Sequence, residues 1–122
     1  MLKKNRIMYN VIIIGGEKMG NYPFFEQKTI NCIKNRAKTE GVTIFTTGDK
    51  LVETFTNKYG ITSKIFYTDW KSYGKDALKR RNEEMLREAN AIITFEDELK
   101  DSHMLTKMAT EKGLPHRYFI LP

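Results

Sequence analysis

YNVIIIGGEKMGNYPFF, residues 9–25, is the stretch on which the architecture turns. Its first half, Val11 to Ile14, is a β-branched apolar run without the alternation of a strand that has one wet face. A short continuous run ending in glycines predicts a strand buried on both faces, as in a parallel sheet covered by helices on either side. The run stops at Gly15-Gly16, and Asn21 then offers a side chain that can cap a helix with Pro23 in its first turn. Strand, glycine turn and capped helix in that order open a βαβ unit.

The same alternation runs outward to the end of the chain. The first helix is predicted to continue to Glu40, closed by Gly41, with Ile30, Ile33 and Ala37 as its apolar stripe. VTIF at 42–45 is a second strand, and the helix after Asp49 turns Leu51, Val52 and Phe55 inward and stops at Gly60. SKIFY at 63–67 is a third strand, followed by a loop and a helix over 76–89. AIITF at 91–95, a helix over 102–112 and RYFIL at 117–121 complete the series. The expected fold is α/β: a single-domain Rossmann-like doubly wound parallel sheet of about five strands with four helices, in strand order 3-2-1-4-5. Residues 1–8 are expected to form a flexible N-terminal extension, Met8 being a plausible internal start.

Composition agrees with one globular domain: 122 residues, 40% apolar and 30% charged. Net charge is +6, a sign that favours nucleotides, nucleic acids or acidic surfaces without choosing among them. Cys32 stands alone, which excludes an internal disulfide and a cysteine zinc site, and His103 and His116 are too few and too far apart for a metal cluster. No metal and no cofactor is therefore expected. No run reaches membrane-spanning length and the N-terminal apolar run is too short for a signal peptide, so a cytoplasmic protein without membrane contact is expected.

In a sheet of this order the chain reverses between strands 1 and 4, and ligands bind beyond the carboxyl ends of the strands at such a reversal. That rule selects Gly15, Gly16, Glu17 and Lys18 after strand 1, Gly48 and Asp49 after strand 2, and Ser102 and His103 beyond strand 4. GGEKMG could bring backbone N–H groups to a phosphate, or be a plain tight turn; it is neither GxGxxG nor GxxxxGK[ST]. TTGDK could equally cap a helix or meet a ligand. Asp49 and Asp69 are candidate acids, with no carboxylate spacing that demands acid–base chemistry.

DWKSYGKDALKRRNEEML, residues 69–86, carries a sharper signal. Leu78, Met85 and Ala89 share a helical face, and Arg81 falls among them. An inward arginine needs an acidic partner, an anionic ligand or a path along the sheet edge to solvent. Trp70 and Tyr73 just before it could stack on a base or cap the core.

This stretch closely resembles the YspA-like branch of the SLOG superfamily, Rossmann-like proteins related to the LOG phosphoribohydrolases and to DprA/Smf. There a D-W-x-x-x-G-K-x-A segment leads into R-N-x-x-M, matched here by Asp69, Trp70, Gly74, Lys75, Ala77, Arg81, Asn82 and Met85. Gly15, Gly16 and Tyr22 fit the family's first turn, with Glu17 and Asn21 where arginine and aspartate are usual. Gly48 fits the second, where Glu53 replaces an aspartate and Thr47 and Leu51 replace glycines. The glycine-rich turn after strand 4 is EDELKD here, and the P-G-G-x-G-T-x-x-E segment that serves glycosidic cleavage in LOG enzymes has no counterpart.

The resemblance implies a domain that binds a nucleotide or nucleotide-derived ligand, to sense or sequester it. Arg81, Asn82 and Lys75 would meet the anion, and Trp70 or Tyr73 would flank the ligand. The expected partners are that small molecule and further copies of the chain. The alternatives are a phosphoribohydrolase-like enzyme cleaving an N-glycosidic bond, with Asp49, Glu53 or Asp69 as its carboxylate, and a nucleic-acid or protein interaction module.

Overall fold

Val11, Ile12 and Ile13 are each at most 1% exposed, as a strand covered on both faces requires. In a computed structural model, which describes residues 8–15, 21–39, 41–96 and 104–120, this strand is β1, Met8–Ile14. Helix α1 (Tyr22–Thr39), β2 (Gly41–Thr46), α2 (Lys50–Tyr59) and β3 (Thr62–Ile65) follow. A single helical turn, α3 (Trp70–Tyr73), and a 3-10 turn (Gly74–Asp76) lead into α4 (Ala77–Glu88), then β4 (Ala91–Glu96), α5 (Met104–Lys112) and β5 (His116–Ile120). The strands form one parallel sheet in the order β3-β2-β1-β4-β5. The predicted architecture is the observed one, with β1 and β4 neighbours at the reversal.

Each face has its own core. Val11, Ile13, Ile44 and Ile93 point to the side of α1 and α2, where Phe25, Ile33, Val52 and Phe55 cover them. Ile12, Phe45 and Ile92 point the other way, against Met85 and Leu86 of α4 and Leu105 and Ala109 of α5. Alternate residues of one strand thus serve two cores, which is why the run VIII shows no polar period. Lys58 Nζ of α2 lies 2.7 Å from Glu26 Oε2 of α1, and Tyr59 donates its hydroxyl proton to the same oxygen. The Lys58 and Tyr59 hydrogen bonds hold the Glu26 carboxyl below its ordinary pKa.

Several boundaries and faces differ from the sequence reading. Met8 belongs to β1 and pairs with Gly41, so the expected extension does not include it; residues 1–7 lie outside the described residues. The buried stripe of α1 is Phe25, Thr29 and Ile33, at steps of four, whereas Ala37 is exposed and Ile30 only half-buried. In α4 the inner face is Ala77, Asn82, Met85 and Leu86, and Leu78 is 37% exposed. Arg81 therefore sits on the flank of the helix rather than at the centre of its buried face. The expected loop before α4 holds a turn of helix because the Asp69 carboxylate accepts the Ser72 N–H at 3.0 Å and so caps it.

Candidate functional site

At the carboxyl ends of β1 and β2, Asp49 organises two loops at once. Its Oδ1 accepts the Leu51 N–H at 2.9 Å, capping α2, and its Oδ2 accepts the Gly15 N–H at 3.1 Å. The Thr46 hydroxyl oxygen receives the Gly48 and Asp49 N–H groups at 3.2 and 3.3 Å. Gly48 has φ +102°, a backbone that a side chain rarely adopts, so this glycine shapes the turn irrespective of any ligand. Both carboxylate oxygens of Asp49 are thus engaged with backbone amides. Asp49→Ala should lose about 1–3 kcal/mol in urea unfolding, a helix cap plus a second charge-assisted bond. Asp49→Asn, which keeps an acceptor, should lose less.

The second group gathers beyond β3. Phe66 N–H reaches Thr46 O at 2.9 Å, so the chain leaves β3 still tied to β2 and delivers Thr68 and Asp69 to the same rim. Arg81 reaches back from α4: its Nη1 donates to Thr68 Oγ1 at 3.1 Å, and its Nε and Nη2 both donate to Asn82 Oδ1, at 3.2 and 2.9 Å. Asn82 is 1% exposed and Arg81 half-buried. Desolvation pulls the Arg81 pKa downward, and no charge enters among the causes. Among the described residues no carboxylate pairs with this guanidinium. Among the described residues it is held by the neutral oxygens of Thr68 and Asn82.

A pocket of about 270 Å³ opens beside it, lined by Tyr67, Asp69, Tyr73, Arg80, Arg81 and Glu84 among others. Tyr73 lies beneath the Arg80 guanidinium, 4.3 Å from ring centre to carbon, which fixes one aromatic wall. Trp70, 55% exposed, is not part of that lining. Gly74, at φ +52° and ψ −127°, lets the chain pass from α3 into α4, and Lys75 follows it exposed on the 3-10 turn. Tyr22 opens α1 at this end of the sheet, with its hydroxyl enclosed and unpartnered and its pKa raised by burial and then by Glu26. Glu53 is exposed in the first turn of α2.

The structure therefore brings Gly15, Gly48 and Asp49 into one group, and Asp69, Tyr73, Arg81 and Asn82 into another, along the same rim. Gly16, Glu17, Lys18, Ser102 and His103, also candidates, lie outside the described residues. Sequence reasoning missed Thr68 as a partner of Arg81. Its only signal was a short hydroxyl side chain just beyond a strand end, in front of a capping aspartate. Among the described residues no three potential metal-binding side chains cluster, and no helix is long and apolar enough to cross a membrane. No family model, curated protein or solved structure matches the chain.

Proposed function

We propose that the chain binds a nucleotide or nucleotide-derived anion at the carboxyl rim of its sheet, with Arg81 as the anion anchor, and senses or sequesters it. The observation that carries this reading is a half-buried guanidinium whose hydrogen-bond partners are the uncharged oxygens of Thr68 and Asn82. A cation moved partly out of water gains most from a counter-charge, and a phosphate oxygen supplies one together with charge-assisted hydrogen bonds. Asn82 holds the guanidinium in one orientation, so an arriving anion meets a donor whose side-chain entropy is already lost. Tyr73 offers a ring to a base or ribose, and Lys75 a second charge. The resemblance to the YspA-like branch of the SLOG superfamily supports Lys75, Arg81 and Asn82, and the pocket lies beyond the carboxyl end of β3, at the edge of the sheet rather than at the β1–β4 reversal.

Binding without cleavage fits Asp49 better. Asp69 caps α3 through Oδ1 alone, but Asp49 gives one oxygen to the Leu51 N–H and the other to the Gly15 N–H, so both of its oxygens are engaged in holding backbone. A general acid or base must instead keep an oxygen for the substrate.

A thermal-shift screen with AMP, ATP, NAD and cyclic dinucleotides tests the proposal. A ligand at 100 times its Kd should stabilise the fold by about 2.7 kcal/mol. In Arg81→Ala most of that response should vanish; a response of unchanged size would make Arg81 a structural residue only. Release of free base from nucleoside monophosphates would replace binding by glycosidic cleavage.

A further inference from the structure

Resting on the nucleotide reading of the Arg81 rim, we infer that its ligand is a guanine mononucleotide, whose phosphate is held by Arg81 and whose base is read by Glu84.

The pocket measures about 270 Å³, just below the ~300–1,000 Å³ of ordinary small-molecule sites, which suits one base, one sugar and one phosphate rather than two nucleotides. Helix α4 supplies a wall of it, because Ala77, Arg81, Glu84 and Arg87 recur at steps of three and four. Arg81 leaves that wall and reaches back to Thr68, whose Oγ1 lies 3.1 Å from Nη1. Glu84 stands three residues further on, a rise of about 4.5 Å along the helix. Arg87 follows after three more, so the charges along the wall alternate in sign.

Opposite charges four residues apart on a helix often pair, and Arg80 with Glu84 and Glu83 with Arg87 have that spacing. Among the described residues neither pair forms an ion pair. The Arg80 guanidinium lies instead over the Tyr73 ring, at 4.3 Å. Glu84 is exposed and keeps both carboxylate oxygens for a ligand.

A pocket lined by arginines alone would select only an anion. This one holds Arg80, Arg81 and Arg87 together with Asp69, Glu83 and Glu84, so it matches a ligand with an anion at one end and hydrogen-bond donors at the other. Guanine has such an edge. Its N1–H and N2 amine lie side by side and meet the two oxygens of one carboxylate, while the adjacent O6 accepts from a guanidinium. Adenine and cytosine present one amine beside a ring nitrogen, whose lone pair would face the second carboxylate oxygen. Uracil flanks its single N–H with two carbonyls, which a carboxylate repels. Glu84 and Arg87, one turn apart, supply the acceptor and the donor that guanine requires. Tyr67, 77% exposed, and Tyr73 also line the pocket and offer rings to a purine.

Isothermal titration calorimetry with GMP, IMP, AMP and UMP tests the inference. GMP should bind at least about tenfold more tightly than AMP or UMP, the difference expected for a hydrogen bond to a charged group. IMP, which lacks the N2 amine, should fall between. Glu84→Gln puts an amide N–H where guanine needs an acceptor, and should bring GMP to the affinity of AMP. Arg81→Ala should weaken GMP and AMP by the same factor, since both carry the phosphate. Glu111→Gln removes an equal charge from α5, outside this pocket, and should keep the GMP preference. Circular dichroism and the unfolding midpoint separate lost binding from lost fold; Glu84 is exposed, so the fold should persist. Equal affinity for GMP and AMP, or a GMP preference that survives in Glu84→Gln, overturns the inference and leaves nucleotide binding at the rim standing. Binding of none of the four overturns it too, and the wider nucleotide screen then decides whether the rim binds any nucleotide.

Discussion

Truncating Phe25 to alanine should remove about 3–5 kcal/mol of stability, the cost of deleting a fully buried aromatic and leaving its cavity. The ring is 0% exposed and touches three elements: Phe95 of β4 at 4.7 Å, Phe55 of α2 at 6.1 Å and Tyr22 within its own helix at 6.0 Å. It thus joins α1, α2 and the sheet at a single point. For a domain of this size the loss corresponds to roughly 12–20 °C in Tm. Urea unfolding with an unchanged m-value would show that the native state has lost stability rather than compactness. Phe25→Leu should recover a large part, because it restores apolar volume without the ring contacts. A change below about 1 kcal/mol in Phe25→Ala would mean that α1 repacks freely, and the α1 face of the core would then need another keystone.

Phe25 also shows where the sequence was legible and where it was not. Strand and helix alternation could be read because each strand is a short apolar run stopped by a glycine or an acidic turn, as at Ile14-Gly15 and Phe45-Thr46-Thr47-Gly48. Right-handed crossovers leave few strand orders, and the commonest of these, 3-2-1-4-5, is the observed one. Helix faces were harder. In α1 the buried stripe contains Thr29, 0% exposed with its hydroxyl unpartnered, and a polar residue there hides the four-residue spacing from Phe25 to Ile33. In α4 the small Ala77, 1% exposed, lets the helix approach the sheet, so Leu78 rotates outward and Asn82 inward.

The candidate site was legible in a different measure. Asp49 and Gly48 were marked as ligand positions and Gly74 matched the family motif, and each has a local task that involves no ligand: capping, or a backbone angle that side chains rarely adopt. Asp69 likewise caps the turn that precedes the 3-10 segment. A capping aspartate and a phosphate-binding loop leave the same trace in a sequence, because both place polar groups and glycines at the start of a helix. Arg81 was marked as a charge in want of a partner. That its partners would be Asn82, one residue on, and Thr68, thirteen residues back, could not be read from helical spacing, which pairs positions three and four apart.

Replacing Asn82 by leucine should therefore act twice. It strips the acceptor from two Arg81 nitrogens in a half-buried setting, at a cost of about 1–3 kcal/mol, and it frees the guanidinium from its fixed orientation. Arg81→Met should cost a similar amount, since the Asn82 carbonyl, 1% exposed as a residue, then loses both of its donors from this side chain. The double variant Arg81→Met/Asn82→Leu should cost less than the sum, with a coupling of about 1–2 kcal/mol, because replacing both partners leaves nothing unpaired. Stability alone does not separate an internal brace from an anion anchor. Asn82→Asp does. It keeps the shape of the side chain while giving Arg81 a carboxylate in the place of the neutral oxygen, so the folded state should be about as stable as the parent. The guanidinium would then carry its counter-charge permanently, and an incoming phosphate would meet like charge beside the half-buried Arg81. The thermal response to the best nucleotide should fall to nearly nothing in Asn82→Asp, as in Arg81→Ala. A full response in Asn82→Asp would show that the ligand does not use Arg81, and the half-buried arginine would be a brace between α4 and the end of β3.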